Sequence, residues 1–176
     1  MYGASIKVNN KYNNTPLHLA VWNGHTGSVA LLLERGTFIE ARDEDNNTPL
    51  HYAAQSGHTG IVGLLLRKGA SIEAVNKGKN TPMHFAASGG HSDTVELLLE
   101  EGASVGAITT YTNTPLHFAA RGGYTGMVEL LLRKGASIEA MNGDHDTPLH
   151  IATREGHTDT VQLLKNKAAR TCCSWE

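Results

Sequence analysis

The stretch TPLHFAARGGYTG, residues 114–126, decides how the chain folds, because most of it recurs elsewhere. A fixed spacing of 33 residues separates five copies of TPLH or TPMH, which begin at Thr15, Thr48, Thr81, Thr114 and Thr147. A period of this size is typical of repeat architectures, in which each unit buries its apolar face only against its neighbours. The sequence therefore predicts one elongated stack of units with a continuous core.

A single unit shows why these residues favour a pair of helices. Thr48 is suited to cap a helix N-terminus, and Pro49 to occupy its first turn, where a missing N–H costs nothing. A second helix, too apolar to be exposed, is expected to end at Gly69, which adopts the left-handed conformation easily. Residues 70–74 (ASIEA) are then predicted to be extended, and residues 76–80 (NKGKN) to form a projecting turn.

Several motifs recur in register and resemble those of ankyrin repeats. They are TPLH, a Gly-His pair after the first helix, LeuLeuLeu in the second helix and Gly-Ala-Ser-Ile after it. The resemblance covers essentially the whole chain. It implies an all-α repeat solenoid of helix-turn-helix units with a 33-residue period, carrying β-hairpin fingers at right angles to the helices. It also implies the family's usual activity, which is to hold other proteins along the concave face of fingers and first helices, without catalysis.

The register of the motifs predicts the domain boundaries. Because no second helix precedes the first complete repeat, its apolar face, including Leu17 and Val29, is expected to be partly exposed. This favours a fragment of a longer array over a surface that meets another molecule. The predicted segments are a tail and hairpin of an incomplete repeat at 1–14, repeats at 15–47, 48–80, 81–113 and 114–146, a C-terminal capping repeat at 147–171 and a tail at 172–176.

The last repeat departs from the others as a capping unit does. Lys165 replaces the third leucine of the second helix, and Ala168 replaces the glycine that ends it. The final helix is therefore expected to be more polar and to continue for several residues. The two cysteines, Cys172 and Cys173, are adjacent and cannot link distant parts of the fold; with Trp175 they are expected to lie in a disordered tail.

Ten histidines raise the question of a metal or catalytic site. Both kinds of site need a single convergence of unlike groups, which equivalent residues one repeat apart do not supply. The sequence therefore predicts no enzyme activity, no catalytic residue, no metal site and no cofactor. The resemblance implies that the TPLH histidine bonds across its own turn and to the next unit. Nine of the ten fill two repeated slots: His18, His51, His84, His117 and His150 in TPLH, and His25, His58, His91 and His157 after the turn glycine.

Composition limits the classes of partner. The chain has 15 Lys plus Arg against 17 Asp plus Glu, a net charge of -2, which gives no reason to expect nucleic acid or an acidic membrane surface. No apolar stretch of about 18 residues exists, and Met1 is followed by no charged-then-apolar leader. These features predict a soluble protein of the cytoplasm or nucleus with no membrane partner.

Binding residues are expected where the repeats differ, at the fingers and the ends of the first helices. The finger charges run basic, acidic, basic, neutral and acidic along the chain, which favours a protein partner of mixed charge. Because Trp, Tyr and Arg most often carry binding energy, the strongest candidates are Trp22, Tyr111 and Arg121, followed by Tyr12 and Arg154. The remaining predicted contacts are Glu44, Asp45, Lys77, Lys79, Gln55 and Asp144.

Two departures from the repeat pattern predict local weakness. Thr112 stands where a finger needs a left-handed residue, which threonine adopts poorly, so this finger is expected to form another turn. In the third unit, Glu100 and Glu101 oppose the dipole at a helix C-terminus, and Gly106 replaces a glutamate found in three other units. We therefore predict that the third unit is the weak point of the stack.

Three hypotheses about function stay open on this evidence. The leading one is a non-catalytic scaffold that binds a protein partner. The second is a targeting or regulatory ankyrin segment of a larger enzyme, channel or effector, whose chemistry lies outside these residues. The third is self-association through the uncovered N-terminal face.

Overall fold

The computed structural model describes residues 9–172, with side chains up to Ala169. Odd-numbered helices contact one another in one layer, even-numbered helices contact one another in a second layer, and each odd helix pairs with the even helix that follows it. This confirms the predicted stack of helix pairs. Ten α-helices occur in this part of the chain: α1 (Pro16–Trp22), α2 (Thr26–Glu34), α3 (Pro49–Gln55), α4 (Thr59–Arg67), α5 (Pro82–Gly89), α6 (Ser92–Glu100), α7 (Pro115–Arg121), α8 (Thr125–Arg133), α9 (Pro148–Arg154) and α10 (Thr158–Cys172).

The TPLH motif organises the start of every odd helix. At α5, the backbone N–H of Thr81 donates to His84 Nδ1 at 3.0 Å, while His84 Nε2 lies 3.0 Å from Ala107 O and 3.2 Å from Asn113 O. Since Nδ1 accepts and the carbonyls only accept, the ring carries its proton on Nε2. The predicted structural role of this histidine, across its own turn and to the next unit, is confirmed.

The even helices end as their glycines predict. Gly69 follows α4 with a φ of +91°, and the equivalent glycines after α2, α6 and α8 also have positive φ. Where Ala168 replaces this glycine, α10 runs for 15 residues, against nine in each other even helix. The predicted extension of the final helix is therefore confirmed. Cys172 ends α10, so the predicted tail begins inside the helix; Cys173 and Trp175 lie outside the described residues.

The connections between units are turns. The prediction of an extended segment at residues 70–74 is wrong, because the N–H of Ala74 donates to Ser71 O at 3.1 Å and closes a turn. In the finger that follows, Asn76 N donates to Asn80 O at 3.1 Å. Neighbouring fingers are joined by single backbone hydrogen bonds, and no residue between 9 and 172 forms a β-strand. The hairpin-like fingers are thus too short and too sparsely paired to form strands.

The finger that carries Thr112 adopts the same turn as the others, so the prediction of a different turn is wrong. Thr112 has a φ of +53°, and its N–H donates to Thr109 O at 3.0 Å. Neighbouring fingers impose this conformation: Thr110 N donates to Gly78 O at 2.9 Å on one side, and Gly143 N donates to Tyr111 O at 2.8 Å on the other. A β-branched residue is strained at such a φ.

The N-terminal face also differs from the prediction. Leu17 and Val29 are fully buried, whereas Leu19 and Leu31 are 45% and 52% exposed. Residues two apart on a helix point in nearly opposite directions, so Leu17 turns inward towards the other helices and Leu19 turns outward. The predicted exposure of Leu17 and Val29 is therefore wrong, and Leu19 and Leu31 are the exposed leucines of this face.

One continuous core runs through the stack. Small side chains let neighbouring odd helices approach closely, and each fully buried leucine or valine contributes roughly 1.5–3 kcal/mol. No helix within residues 9–172 has both the length and the hydrophobicity to cross a bilayer. The repeated small residues are buried alanines: Ala20, Ala53, Ala86, Ala119 and Ala152.

Candidate protein-binding surface

The first helices and fingers enclose a groove near the middle of the stack. Its volume is about 480 Å³, a size typical of ligand pockets. Aromatic, small and polar residues line it. We call it the central groove and define it by Trp22, Gln55, Asn80, Phe85, Ser88 and Phe118. Two of the eleven predicted binding residues, Trp22 and Gln55, therefore line one surface.

Trp22 is half exposed, and the next repeat holds it in place. Its ring meets Tyr52 edge-on, with centroids 5.6 Å apart, and its carbonyl lies 3.2 Å from His58 Nε2. Tyr52 Oη in turn donates to Asp43 Oδ2 at 2.7 Å. Trp22 thus presents a fixed aromatic surface to the groove, which lowers the entropy cost of binding.

The pKa values of the residues behind Trp22 reflect the same network. Burial acts to raise the pKa of Asp43, but hydrogen bonds from Asn47 and Tyr52 outweigh it and leave that pKa below its ordinary value. Burial and the hydrogen bond to Asp43 raise the pKa of Tyr52 above its usual range. At neutral pH, Asp43 is therefore ionised and Tyr52 keeps its proton. The hydrogen bond that positions Tyr52 against Trp22 thus exists in a single protonation state.

The two predicted arginines differ in availability. Arg121 is exposed, with its guanidinium carbon 5.7 Å from the centroid of the Phe118 ring. Arg154 forms an ion pair with Asp146 of its own finger. Within residues 9–169, Arg121 takes part in neither of the two ion pairs. Arg121 is therefore free to bind a partner's carboxylate, while Arg154 must first break its ion pair with Asp146.

The finger residues predicted to bind are all exposed. Tyr111 is 75% exposed, and its backbone is fixed by the hydrogen bond from Gly143 N. Tyr12 is 48% exposed, with Lys11 Nζ 4.7 Å from its ring centroid. The structure leaves these side chains available but does not place them in the central groove. The same holds for the charged finger residues Glu44, Asp45, Lys77, Lys79 and Asp144.

The sequence prediction missed Phe85 and Phe118, which line the groove. Each ring meets the TPLH histidine of the preceding repeat edge-on, Phe85 against His51 at 5.4 Å and Phe118 against His84 at 5.6 Å between centroids. A signal was available in the register: the residue after the TPLH histidine is aromatic in the three middle repeats and aliphatic in the first and last. Comparing this slot across repeats would have found them.

The turn histidines hold the ends of the first helices, where the predicted groove residues lie. His91 Nε2 donates to Gln55 O at 2.9 Å, and His157 Nε2 donates to Arg121 O at 2.8 Å. Tyr124 replaces one of these histidines, and its hydroxyl donates to Ser88 O at the longer distance of 3.5 Å. Tyr124 therefore performs the same contact more weakly, a role that the sequence did not predict.

The buried TPLH histidines stay neutral at pH 7. Burial lowers the pKa of His51 and of His84 to about 4, and it also lowers the pKa of His18 and His117. Their ring nitrogens are occupied by backbone groups and threonine. Within residues 9–169, no cluster of three His, Cys, Asp or Glu side chains has the arrangement needed to hold a metal ion.

The comparison with known families agrees with this geometry. The model of ankyrin repeats (3 copies) matches residues 1–76, 39–109, 72–142 and 107–174. The chain belongs to the ankyrin repeat family. Ankyrin repeats are generally protein–protein interaction modules, and the proteins that carry them are typically non-catalytic. A search of curated proteins found no match to this ankyrin repeat chain.

Proposed function

We propose that this ankyrin repeat chain is a non-catalytic scaffold that binds a protein partner along the central groove and the adjoining fingers. The observation that carries the proposal is the groove itself, in which the half-exposed Trp22 is fixed on Tyr52. A rigid aromatic side chain at an exposed position is typical of residues that carry binding energy.

The proposed partner has mixed charge. Along the fingers, Lys11 is followed by the acidic Glu44 and Asp45, then by Lys77 and Lys79. A uniform polyanion or polycation would meet repulsion at some of these fingers, whereas a protein surface can present both signs.

A pull-down with matched variants tests the proposal. The bait is the full chain, compared with the triple variant Trp22→Ala, Tyr111→Ala, Arg121→Ala. A control variant, Arg67→Ala, Glu129→Ala, Lys134→Ala, changes the same number of exposed side chains on the even-helix layer. Circular dichroism must show that both variants stay folded. We expect the triple alanine variant to lose partners that the wild type and the control variant retain; equal retention by all three would rule out this binding surface.

A second proposal rests on the exposed Leu19 and Leu31 at the N-terminal face. We propose that this face supports self-association, because paired exposed leucines gain by mutual burial. Light scattering at high concentration tests it: the wild type is expected to form dimers that Leu19→Gln, Leu31→Gln lacks, and a strictly monomeric wild type contradicts it. A role as a targeting or regulatory segment of a larger protein, and a location in the cytoplasm or nucleus, stay predictions.

A further inference from the structure

The middle of the binding surface carries an uncompensated positive charge. Residues 76–91 and 109–124 contain the odd helices α5 and α7 of the third and fourth repeats, each with the finger that precedes it. They include Lys77, Lys79 and Arg121 and no aspartate or glutamate. The flanking fingers are acidic, with Glu44 and Asp45 on one side and Asp144 on the other, so the positive stretch of fingers and odd helices is two repeats wide.

These three cations form no ion pair within the described part of the chain. The ion pairs between residues 9 and 169 are Arg154 with Asp146 and Lys167 with Glu129, both outside the positive stretch. All three side chains belong to exposed residues. An approaching carboxylate would therefore gain charge-assisted hydrogen bonds without displacing an internal partner.

The apolar half of the site lies directly beside these charges. Phe118 lines the central groove and sits one helical turn before Arg121, while Asn80 lines it next to Lys79. Room for a side chain comes from Ser88 and Gly89, the smallest pair at this position in any repeat. A Cβ at Gly89 would lie only 2.5 Å from His91 Cδ2, so glycine lets the His91 ring lie close to this helix end without adjustment.

We infer that the central groove binds an acidic partner segment that carries a large apolar side chain within about three residues of its aspartates or glutamates. The apolar side chain enters between Phe85 and Phe118, and the carboxylates meet Lys77, Lys79 and Arg121. The inference rests on the proposed function and narrows it to one class of partner. Nucleic acid fits less well, because Glu44, Asp45 and Asp144 on both flanks repel a polyanion.

Selection of peptides against the full chain tests this inference. A phage-displayed library of random twelve-residue peptides is the probe, and the selected peptides are synthesised with a fluorescein label. We expect them to be enriched in Asp or Glu close to Phe, Trp, Tyr or Leu. Their affinity, measured by fluorescence anisotropy, is expected to fall as salt rises, because exposed charges are screened.

A matched pair of variants assigns the binding to these residues. The groove variant, Lys77→Thr, Lys79→Asn, Arg121→Gln, takes each new residue from the equivalent position of another repeat, so the fold should be kept. The control, Lys68→Gln, Arg133→Gln, Lys134→Gln, removes three positive charges from exposed positions of the even-helix layer. We expect the dissociation constant to rise about tenfold or more in the groove variant and less than about twofold in the control. Ser88→Leu, which fills the groove, is expected to weaken binding about fivefold or more.

Three results would overturn the inference. One is a selection that yields no acidic enrichment, and the second is equal binding to the groove variant and its control. The third is a labelled twelve-nucleotide oligothymidine that binds the wild type better than the selected peptides do. The proposed function has a separate test. If the selected peptides lack acidic residues and Trp22→Ala abolishes their binding, the groove is still a protein-binding site, but this inference is overturned.

Discussion

Two neighbouring junctions of the stack share their backbone contacts but differ in their side-chain contacts. The 2–3 junction joins α3/α4 to α5/α6, and the 3–4 junction joins α5/α6 to α7/α8. In both, a TPLH histidine donates to a carbonyl of the next finger, and the two fingers share one backbone hydrogen bond of 2.9 Å. These backbone contacts are common to both junctions.

The 2–3 junction adds side-chain contacts that the 3–4 junction lacks or makes poorly. In the 2–3 junction, Glu73 accepts a hydrogen bond from Ser104 N at 2.7 Å. At the equivalent position of the 3–4 junction, Gly106 has no side chain that could accept from Ser137. Asn76 Nδ2 donates to Asn47 Oδ1 at 2.9 Å, whereas the equivalent residue of the 3–4 junction, Thr109, has no side-chain amide to donate. The stability of a repeat stack is approximately a sum of repeat and junction terms, so such differences weaken one junction without altering the fold.

Lowering the pH is expected to have the largest effect on the free energy of unfolding, because it protonates the TPLH histidines that contact the next finger in both junctions. Burial lowers the pKa of His51 and of His84 from the ordinary 6.5 to about 4. The stability that comes from keeping these rings neutral is therefore fully present above pH 6.5 and is lost as the pH falls through about 4. Each ring is expected to cost about 3 kcal/mol of unfolding free energy when fully protonated.

Urea unfolding followed by circular dichroism at pH 7, 5.5 and 4 measures this loss. The double variant His51→Gln, His84→Gln supplies the control, since it removes one such ring from each junction. Its unfolding free energy is expected to change less between pH 7 and pH 4 than that of the wild type. An equal change in both proteins would assign the acid sensitivity to other groups.

Exchanging the glutamate between the junctions is expected to have the next largest effect. Glu73→Gly removes a charge-assisted hydrogen bond from the 2–3 junction and is expected to lower the free energy of unfolding by about 1.5 kcal/mol. Gly106→Glu supplies the same contact to Ser137 and is expected to raise it by about 1 kcal/mol. A Cβ at Gly106 meets no atom within 4 Å, so the new side chain has room.

Urea midpoints and hydrogen exchange of the Ser104 and Ser137 amides check this pair of variants. Protection is expected to fall at Ser104 in the first and to rise at Ser137 in the second. If Gly106→Glu leaves the Ser137 amide as exchangeable as before, the missing glutamate is not what separates the two junctions.

Restoring the asparagine of the finger is expected to have a smaller effect. Asn76 Oδ1 accepts from the N–H groups of Gly78 and Asn80 at 2.9 Å, whereas Thr109 Oγ1 accepts only from Asn113 N, at 3.2 Å. Thr109→Asn is therefore expected to raise the free energy of unfolding by about 1 kcal/mol. The reverse change, Asn76→Thr, is the matched control and is expected to lower it by a similar amount. Thermal unfolding should show shifts of about 2–4 °C in opposite directions, and shifts of one sign would contradict the comparison.

The repeat register made most of this fold predictable from sequence, because each cap and helix stop has four or five copies to support it. The third unit was also expected to be weak, but Glu100 and Glu101 do not shorten its second helix, because α6 is nine residues long like its counterparts. The weakness of the third unit stays a prediction. Gly106 is its clearest structural basis, because the equivalent Glu73 accepts a hydrogen bond from the next unit, and this contact is visible only when two units are placed together. The sequence predicted only part of the central groove. Trp22 was found because its residue type is typical of binding sites, whereas Phe85 was missed because it resembles a core residue until its neighbours are placed.

The smallest expected effect comes from Tyr124, where two contributions oppose each other. Its hydroxyl lies 3.5 Å from Ser88 O, while His91 makes the equivalent contact at 2.9 Å in the 2–3 junction. Tyr124→His shortens this hydrogen bond but removes part of an aromatic ring that packs close to Gly90 and Gly122. We expect the hydrogen bond to prevail and the free energy of unfolding to rise by about 0.5 kcal/mol, with His91→Tyr lowering it by as much. Urea midpoints with unchanged slopes measure both; if Tyr124→His lowers the midpoint, ring packing outweighs the hydrogen bond and the tyrosine strengthens the 3–4 junction.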